Sequence, residues 1–155
     1  MSFVPTGRDM EHGLSDDNRR RYARHLVLPS VGEEGQIKLL KSSVLVVGAG
    51  GLGSPAMMYL AAAGVGRIGI IDDDFVEESN LQRQIIHSTS SIGDAKAKSA
   101  AERICSLNPG IDAIPMVDRL TERNALSVIK DYDIVIDGTD NFSSRYLIGD
   151  VCEIL

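Results

Sequence analysis

Six consecutive residues, Ser79, Asn80, Leu81, Gln82, Arg83 and Gln84, set one guanidinium among side-chain amides. A planar guanidinium can bridge phosphate oxygens with parallel N–H donors, and Asn80 and Gln82 can add neutral donors or orient the loop. A charged loop by itself is more often a solvated surface, so the segment gains meaning from what precedes it. Upstream, Gly48-Ala49-Gly50-Gly51-Leu52-Gly53 fits the G-x-G-x-x-G phosphate turn. Gly48, Gly50 and Gly51 carry no Cβ and let backbone approach a phosphate. A helix N-terminus just beyond favours negative charge, and Gly53 permits tight helix–strand packing. The same residues could make a strand-to-helix turn with no ligand, but strand, loop and helix arrive in the order a nucleotide site needs.

Asp72 ends a second apolar run about twenty residues further on, where a ribose-hydroxyl acceptor is expected. Asp73 and Asp74 dilute that signal, since three acids in a row can include solvated ones. Lys96, near a helix start, opposes the favourable dipole sign and so suggests an anionic partner; an exposed lysine is the competing reading. Asp140 follows a fourth apolar run, and a carboxylate there can hold Mg²⁺ against phosphate oxygens. Asp137 can support that loop, and Asn141 can equally cap the last helix. Arg21 and Arg24 belong to a basic segment far away in sequence, for which a solvated helical face is as good an explanation. His12, His25 and His87 show no metal-ligand spacing and read as polar or surface residues. Cys105 reads as a small core residue of an apolar helix, and Cys152 supplies no nucleophile.

The elements that must position these groups alternate. Helix is expected over 16–28, 34–41, 55–63 with Gly64 as C-cap, 93–107 with Asp94 as N-cap, 123–130 and 143–155. Strands are expected over 43–47, 67–71, 112–117 and 133–136. This pattern predicts an α/β, Rossmann-like, mostly parallel sheet with flanking helices, in spatial order 3-2-1-4, with ligand at the strands' carboxyl ends. Residues 1–14 read as a flexible tail without a signal-peptide core, and 15–155 as one domain. The last helical pattern stops without a cap or polar tail, which predicts either a domain incomplete at its C-terminus or an unusual terminus.

With 155 residues, the chain can bury a real core. Its formal charge of −6 argues against non-specific nucleic-acid or anionic-membrane binding. No apolar run reaches the ~18 residues of a membrane helix. Two cysteines without a C-x-x-C support neither a disulfide framework nor a zinc site, and fit reduced thiols in a cytoplasmic protein.

Taken together, Arg21-Tyr22-Ala23-Arg24, the Gly48–Gly53 loop, Ala63-Gly64-Val65-Gly66, Asp72-Asp73-Asp74, residues 79–84, residues 93–96 and Asp137-Gly138-Thr139-Asp140-Asn141 carry a resemblance. The chain resembles the MoeB/ThiF/HesA adenylyltransferases, relatives of the ubiquitin-activating enzymes, and is most similar to the MoeB-like branch. The resemblance implies ATP with Mg²⁺ and adenylation of the C-terminal glycine carboxylate of a ubiquitin-like sulfur-carrier protein ending in Gly-Gly. It implies that Gly51 and Asp72 bind nucleotide, that Ser79, Asn80, Leu81, Gln82 and Arg83 line the phosphate site, and that Lys96 contacts phosphate. Asp140 with Asn141 would complete the metal and nucleotide end, and Arg24 would be supplied across a homodimer interface. The family's C-x-x-C zinc ligands would fall beyond Leu155. Molybdopterin synthesis, thiamine synthesis and tRNA thiolation all use such carriers. Two rival readings are a nicotinamide oxidoreductase, which leaves Arg83, Lys96 and Asp140 unexplained, and a non-catalytic fragment that only binds ATP or dimerises.

Overall fold

The computed structural model describes residues 13–155. His12 and nearly all of the tail expected over 1–14 lie outside the described residues. Four parallel strands, β1 (Ser43–Val47), β2 (Arg67–Ile71), β3 (Asp112–Met116) and β4 (Ile134–Asp137), form a sheet in the order β3-β2-β1-β4. This is the 3-2-1-4 arrangement expected from the alternation of strands and helices.

Alternate residues of β1 serve opposite faces, as a strand's two-residue period requires. Val44 and Val46 join Met57, Ala61, Ile68, Ile70, Ala97, Ala100 and Ile104 in one apolar cluster. Those helical residues come from α4 (Gly53–Ala63) and α5 (Lys96–Leu107). Leu45 and Val47 join Ile71, Ala125, Ile129, Ile148 and Val151 in the other, which recruits α6 (Ala125–Ile129) and α7 (Phe142–Ile154). Burial on both faces is why β1 and β2 read as short apolar runs rich in β-branched residues.

The first helical segment is two short pieces, α1 (Asp16–Arg21) and α2 (Ala23–Leu26), broken where Tyr22 leaves helical geometry at φ −103° and ψ 19°. Tyr22 turns inward there. Its hydroxyl accepts from Asn108 Nδ2 at 2.9 Å, and the same amide donates to the Ala61 carbonyl at 2.8 Å. From α3 (Gly32–Lys41), Gln36 is buried between His25 Nδ1 at 2.7 Å and the Ala63 carbonyl at 3.0 Å. These bonds fasten α1–α3 to the carboxyl ends of α4 and α5. Crossover helices run against their strands, so this anchoring lies at the end of the sheet away from the strands' carboxyl termini.

Besides this break in the helix expected over 16–28, two further sequence expectations change. Asp94 does not cap α5: its carbonyl accepts from Val76 N–H at 2.9 Å, the chain stays extended through Ala95, and the helix starts at Lys96. Cys105 is exposed and not a core residue; α5 buries Ala97, Ala100, Ala101 and Ile104, and Cys105 falls one position off that stripe.

Candidate functional site

Strand β1 delivers the chain into the glycine loop, where Gly48 takes φ +95°. A Cβ there would lie 3.0 Å from the Gly138 carbonyl, and one on Gly53 would lie 2.0 Å from the Gly48 carbonyl oxygen. Only glycines let the start of α4 fold back against the end of β1 and the β4 loop. The result is a cavity of about 510 Å³ at the carboxyl ends of the strands, on the side where β1's two neighbours diverge.

One wall is the loop itself with Arg83 and Gln84. Arg83 lies across Gly51: a Cβ on Gly51 would touch the arginine Cδ and Cγ at 3.5 Å. The guanidinium donates to Asn80 Oδ1 at 3.1 Å, the same oxygen accepts from Gln84 Nε2 at 3.2 Å, and the Asn80 amide donates in turn to Glu77 Oε2 at 3.2 Å. Asn80 therefore orients Arg83 from behind. Ser79, Asn80, Leu81 and Gln82 do not themselves wall the cavity, and Gly53 acts beneath it.

A second wall is the acidic end of β2. Asp72 accepts the Ala49 N–H on Oδ2 at 2.7 Å and the Asp74 N–H on Oδ1 at 2.8 Å. Asp74 Oδ2 pairs with Lys96 Nζ at 2.9 Å. Lys96 is buried at the first position of α5, where the helix dipole disfavours a cation, and the Asp74 carboxylate offsets that cost. The three carboxylates lie within 4.8 Å of one another, but Asp72 and Asp74 already hold protein donors.

The third wall follows β4. Asp137 Oδ1 accepts from Thr139 N–H and hydroxyl at 2.9 and 2.6 Å and shapes the turn. Asn141 caps α7 by accepting from Ser144 N–H at 2.9 Å, while still facing the cavity. Asp140 is an exposed wall residue whose carboxylate has no hydrogen-bond partner among the described residues. In all, five carboxylates and three cations line the cavity. A polyanion alone would meet excess like charge, and a divalent cation bound with it would reduce that repulsion.

Arg24 does not join the cavity. It is exposed on α2, on the segment fastened to the opposite end of the sheet.

His87 sits behind the glycine loop, buried and not at the surface. Its Nε2 lies 2.9 Å from the Ala49 carbonyl and its Nδ1 2.9 Å from Ser99 Oγ. Burial pushes its pKa below 6.5, with the nearby Lys96 acting the same way, against the Ala49 bond and Asp72. Arg119 and Leu120, following β3, also line the cavity and escaped the sequence reading. The rule that ligands meet the carboxyl end of every neighbouring strand would have found them.

Fold and cavity together define a Rossmann-like α/β domain whose glycine loop walls a cavity at the strands' carboxyl ends. The chain belongs to the ThiF family, whose profile matches residues 22–155. It is 55% identical over 150 residues to the adenylyltransferase and sulfurtransferase MOCS3 of Arabidopsis thaliana, covering 97% of this chain and 32% of that protein. It is 51% identical over 132 residues to the SAMP-activating enzyme E1 of Haloferax volcanii, covering 85% of this chain and 49% of that one. Among solved structures, the E. coli tRNA N6-threonylcarbamoyladenosine dehydratase TcdA in complex with ATP matches with a TM-score of 0.77 and 36% identity, over 82% of this chain and 52% of that one. The chain thus spans a third to a half of the length of these curated relatives.

Proposed function

We propose that this chain binds ATP with Mg²⁺ and adenylates the C-terminal glycine carboxylate of a ubiquitin-like sulfur-carrier protein. The observation that carries this reading is Arg83 lying across Gly51 with Lys96 lining the same cavity. Two cations beside exposed loop backbone suit a triphosphate better than the pyrophosphate of a nicotinamide cofactor. Family membership and the printed activities of the relatives support the same choice.

The chemistry asks little covalent work of the protein. A carrier carboxylate oxygen forms a bond to the α-phosphorus, the bond from that phosphorus to the bridging oxygen of the β-phosphate breaks, and pyrophosphate leaves with the electron pair. No proton moves, because the nucleophile is already ionised. The residues' task is positioning and charge stabilisation. The Gly48–Gly51 backbone and the start of α4 receive phosphate oxygens, Asp72 faces the ribose, and Arg83 and Lys96 take up charge on the leaving group. Asp140, with its carboxylate uncommitted, would hold Mg²⁺, which supplies neutralisation of phosphate charge when bound. Zinc finds no donor set here: Asp72–Asp74 is the one cluster of metal-ligating side chains among the described residues, and it has no thiol or imidazole.

Arg24 fits the reading as a group donated by a second copy. Its helix is fixed to the far end of its own sheet, so a homodimer would be needed to bring an Arg24 to a cavity. Two exposed free thiols, Cys105 and Cys152, suit a reducing, cytoplasmic setting. The carrier's pathway is molybdopterin synthesis, thiamine synthesis or tRNA thiolation.

The test is exchange of labelled pyrophosphate into ATP, with and without a Gly-Gly-ending carrier. Carrier-dependent exchange is expected. NADH binding without ATP binding would replace this reading with an oxidoreductase. ATP binding without exchange would reduce the chain to a binding fragment.

A further inference from the structure

Ala49 is held at both of its backbone polar groups, one in each of the two peptide units that flank its Cα. Its N–H donates to Asp72 Oδ2 at 2.7 Å, and its carbonyl lies 2.9 Å from His87 Nε2. A carbonyl can only accept, so Nε2 carries the proton. In the neutral ring Nδ1 is then an acceptor, and the Ser99 hydroxyl donates to it at 2.9 Å. Ser99 lies on α5, one turn beyond Lys96 and on the same side of the helix. One ring therefore ties the glycine loop to the helix that begins with Lys96.

Planarity gives this grip a consequence. In a trans peptide the Ala49 carbonyl and the Gly50 N–H point in opposite directions. Drawing the carbonyl back toward His87 turns the Gly50 N–H away from it, to the side where Gly50 walls the cavity. Among the described residues that N–H has no protein acceptor. A glycine allows the alternative peptide orientation at little cost, and that flip would aim a carbonyl oxygen at the place a phosphate oxygen must occupy.

We infer that His87 is a positioning residue that holds the Ala49–Gly50 peptide with its N–H toward the anion, and so sets the loop for phosphate. It touches no ligand itself. The inference rests on the nucleotide reading of the cavity for its functional half, while the clamp stands on geometry alone. Burial, which keeps the imidazole neutral, agrees with this single-tautomer arrangement.

The test compares the wild-type chain with His87→Gln, which can still offer an amide N–H, and His87→Phe, which keeps ring volume without a donor. In the wild type, nitrogen NMR of the imidazole should show the Nε2-protonated tautomer, and an Nδ1-protonated ring would overturn the clamp outright. Calorimetric titration with ATP and Mg²⁺ should show His87→Phe weakened roughly tenfold, with His87→Gln within a few-fold of wild type. The Gly50 amide resonance of the ligand-free protein should move in His87→Phe and stay near its wild-type position in His87→Gln. Wild-type ATP affinity in His87→Phe, or equal weakening in both variants, would overturn the positioning role. Should His87→Phe fail to fold, the tautomer and the His87→Gln affinity still decide the matter. A wild-type chain that binds no ATP would strike the nucleotide reading, with the tautomer and Gly50 amide deciding the clamp separately.

Discussion

Lys96 Nζ sits 2.9 Å from Asp74 Oδ2, in a pair whose lysine side chain is 8% exposed and whose aspartate is 69% exposed. The two halves are unequal: Asp74 can turn into water, and doing so would leave the buried Lys96 desolvated and unpaired. A phosphate entering the cavity would replace Asp74 as the lysine's partner. Asp74→Asn should therefore destabilise the ligand-free protein by about 1–2 kcal/mol. Much of that loss should return when ATP is added. Melting curves with and without ATP–Mg²⁺ check this, and the ATP-induced rise should be larger in Asp74→Asn than in wild type.

Arg83 is exposed, and among the described residues its guanidinium hydrogen-bonds only to Asn80. Arg83→Ala should leave the fold within about 0.5 kcal/mol of wild type and lower pyrophosphate exchange by about a hundredfold or more. Asn80→Ala should produce a smaller loss, because it frees the guanidinium without removing it. Exchange rates and urea melts on the same preparations separate the two effects.

The sheet was legible because β1, β2 and β4 are short runs rich in β-branched residues and stopped by glycine or aspartate, whereas β3, with Ile114 alone β-branched and Pro115 within it, carried a weaker signal. The glycine loop was legible because strand, glycines and helix follow in the order a nucleotide site needs, and Arg83 because it stands among side-chain amides shortly after that loop. His87 was not: residues 81–92 form successive tight turns with no periodicity to show which side chains point inward. The start of α5 was missed for a related reason. A bridge between Phe75 and Ala95 keeps the backbone extended past the aspartate that local capping chemistry favours. Cys105 could have been read correctly by following the 97, 100, 101, 104 stripe in place of overall apolarity.

Gly53 reports on the loop's packing alone. Its missing Cβ leaves room for the Gly48 carbonyl 2.0 Å from where that atom would stand. Gly53→Ala should lose about 2–4 kcal/mol or fail to accumulate, and thermal melting measures it. Gly93→Ala, at a glycine where a Cβ meets nothing within 4 Å but φ is +91°, should cost only about 1 kcal/mol from backbone strain.

His87 also makes stability depend on pH. Its folded pKa is held below 6.5, mainly by burial, so the unfolded chain binds more protons as pH falls past that value. The stabilisation from keeping it neutral is complete above about 6.5 and is lost as pH falls through the folded pKa. Urea unfolding between about pH 7.5 and 5.5 should show falling stability in wild type and a shallower slope in His87→Gln.

Arg24 tests the second copy. Arg24→Ala alone should impair exchange, and mixing it with Arg83→Ala should restore part of the activity, since one hybrid cavity keeps both arginines. Exchange measured across mixing ratios should peak near equal amounts. Full activity in a covalently linked all-Arg24→Ala dimer would remove the donated role.

The most direct measurement is the intact mass of a Gly-Gly-ending carrier after incubation with this chain, ATP and Mg²⁺. Adenylation requires a carrier heavier by one adenylyl group, with pyrophosphate released in equal amount and no product when the terminal carboxylate is amidated. A carrier of unchanged mass beside a chain that binds ATP would contradict it.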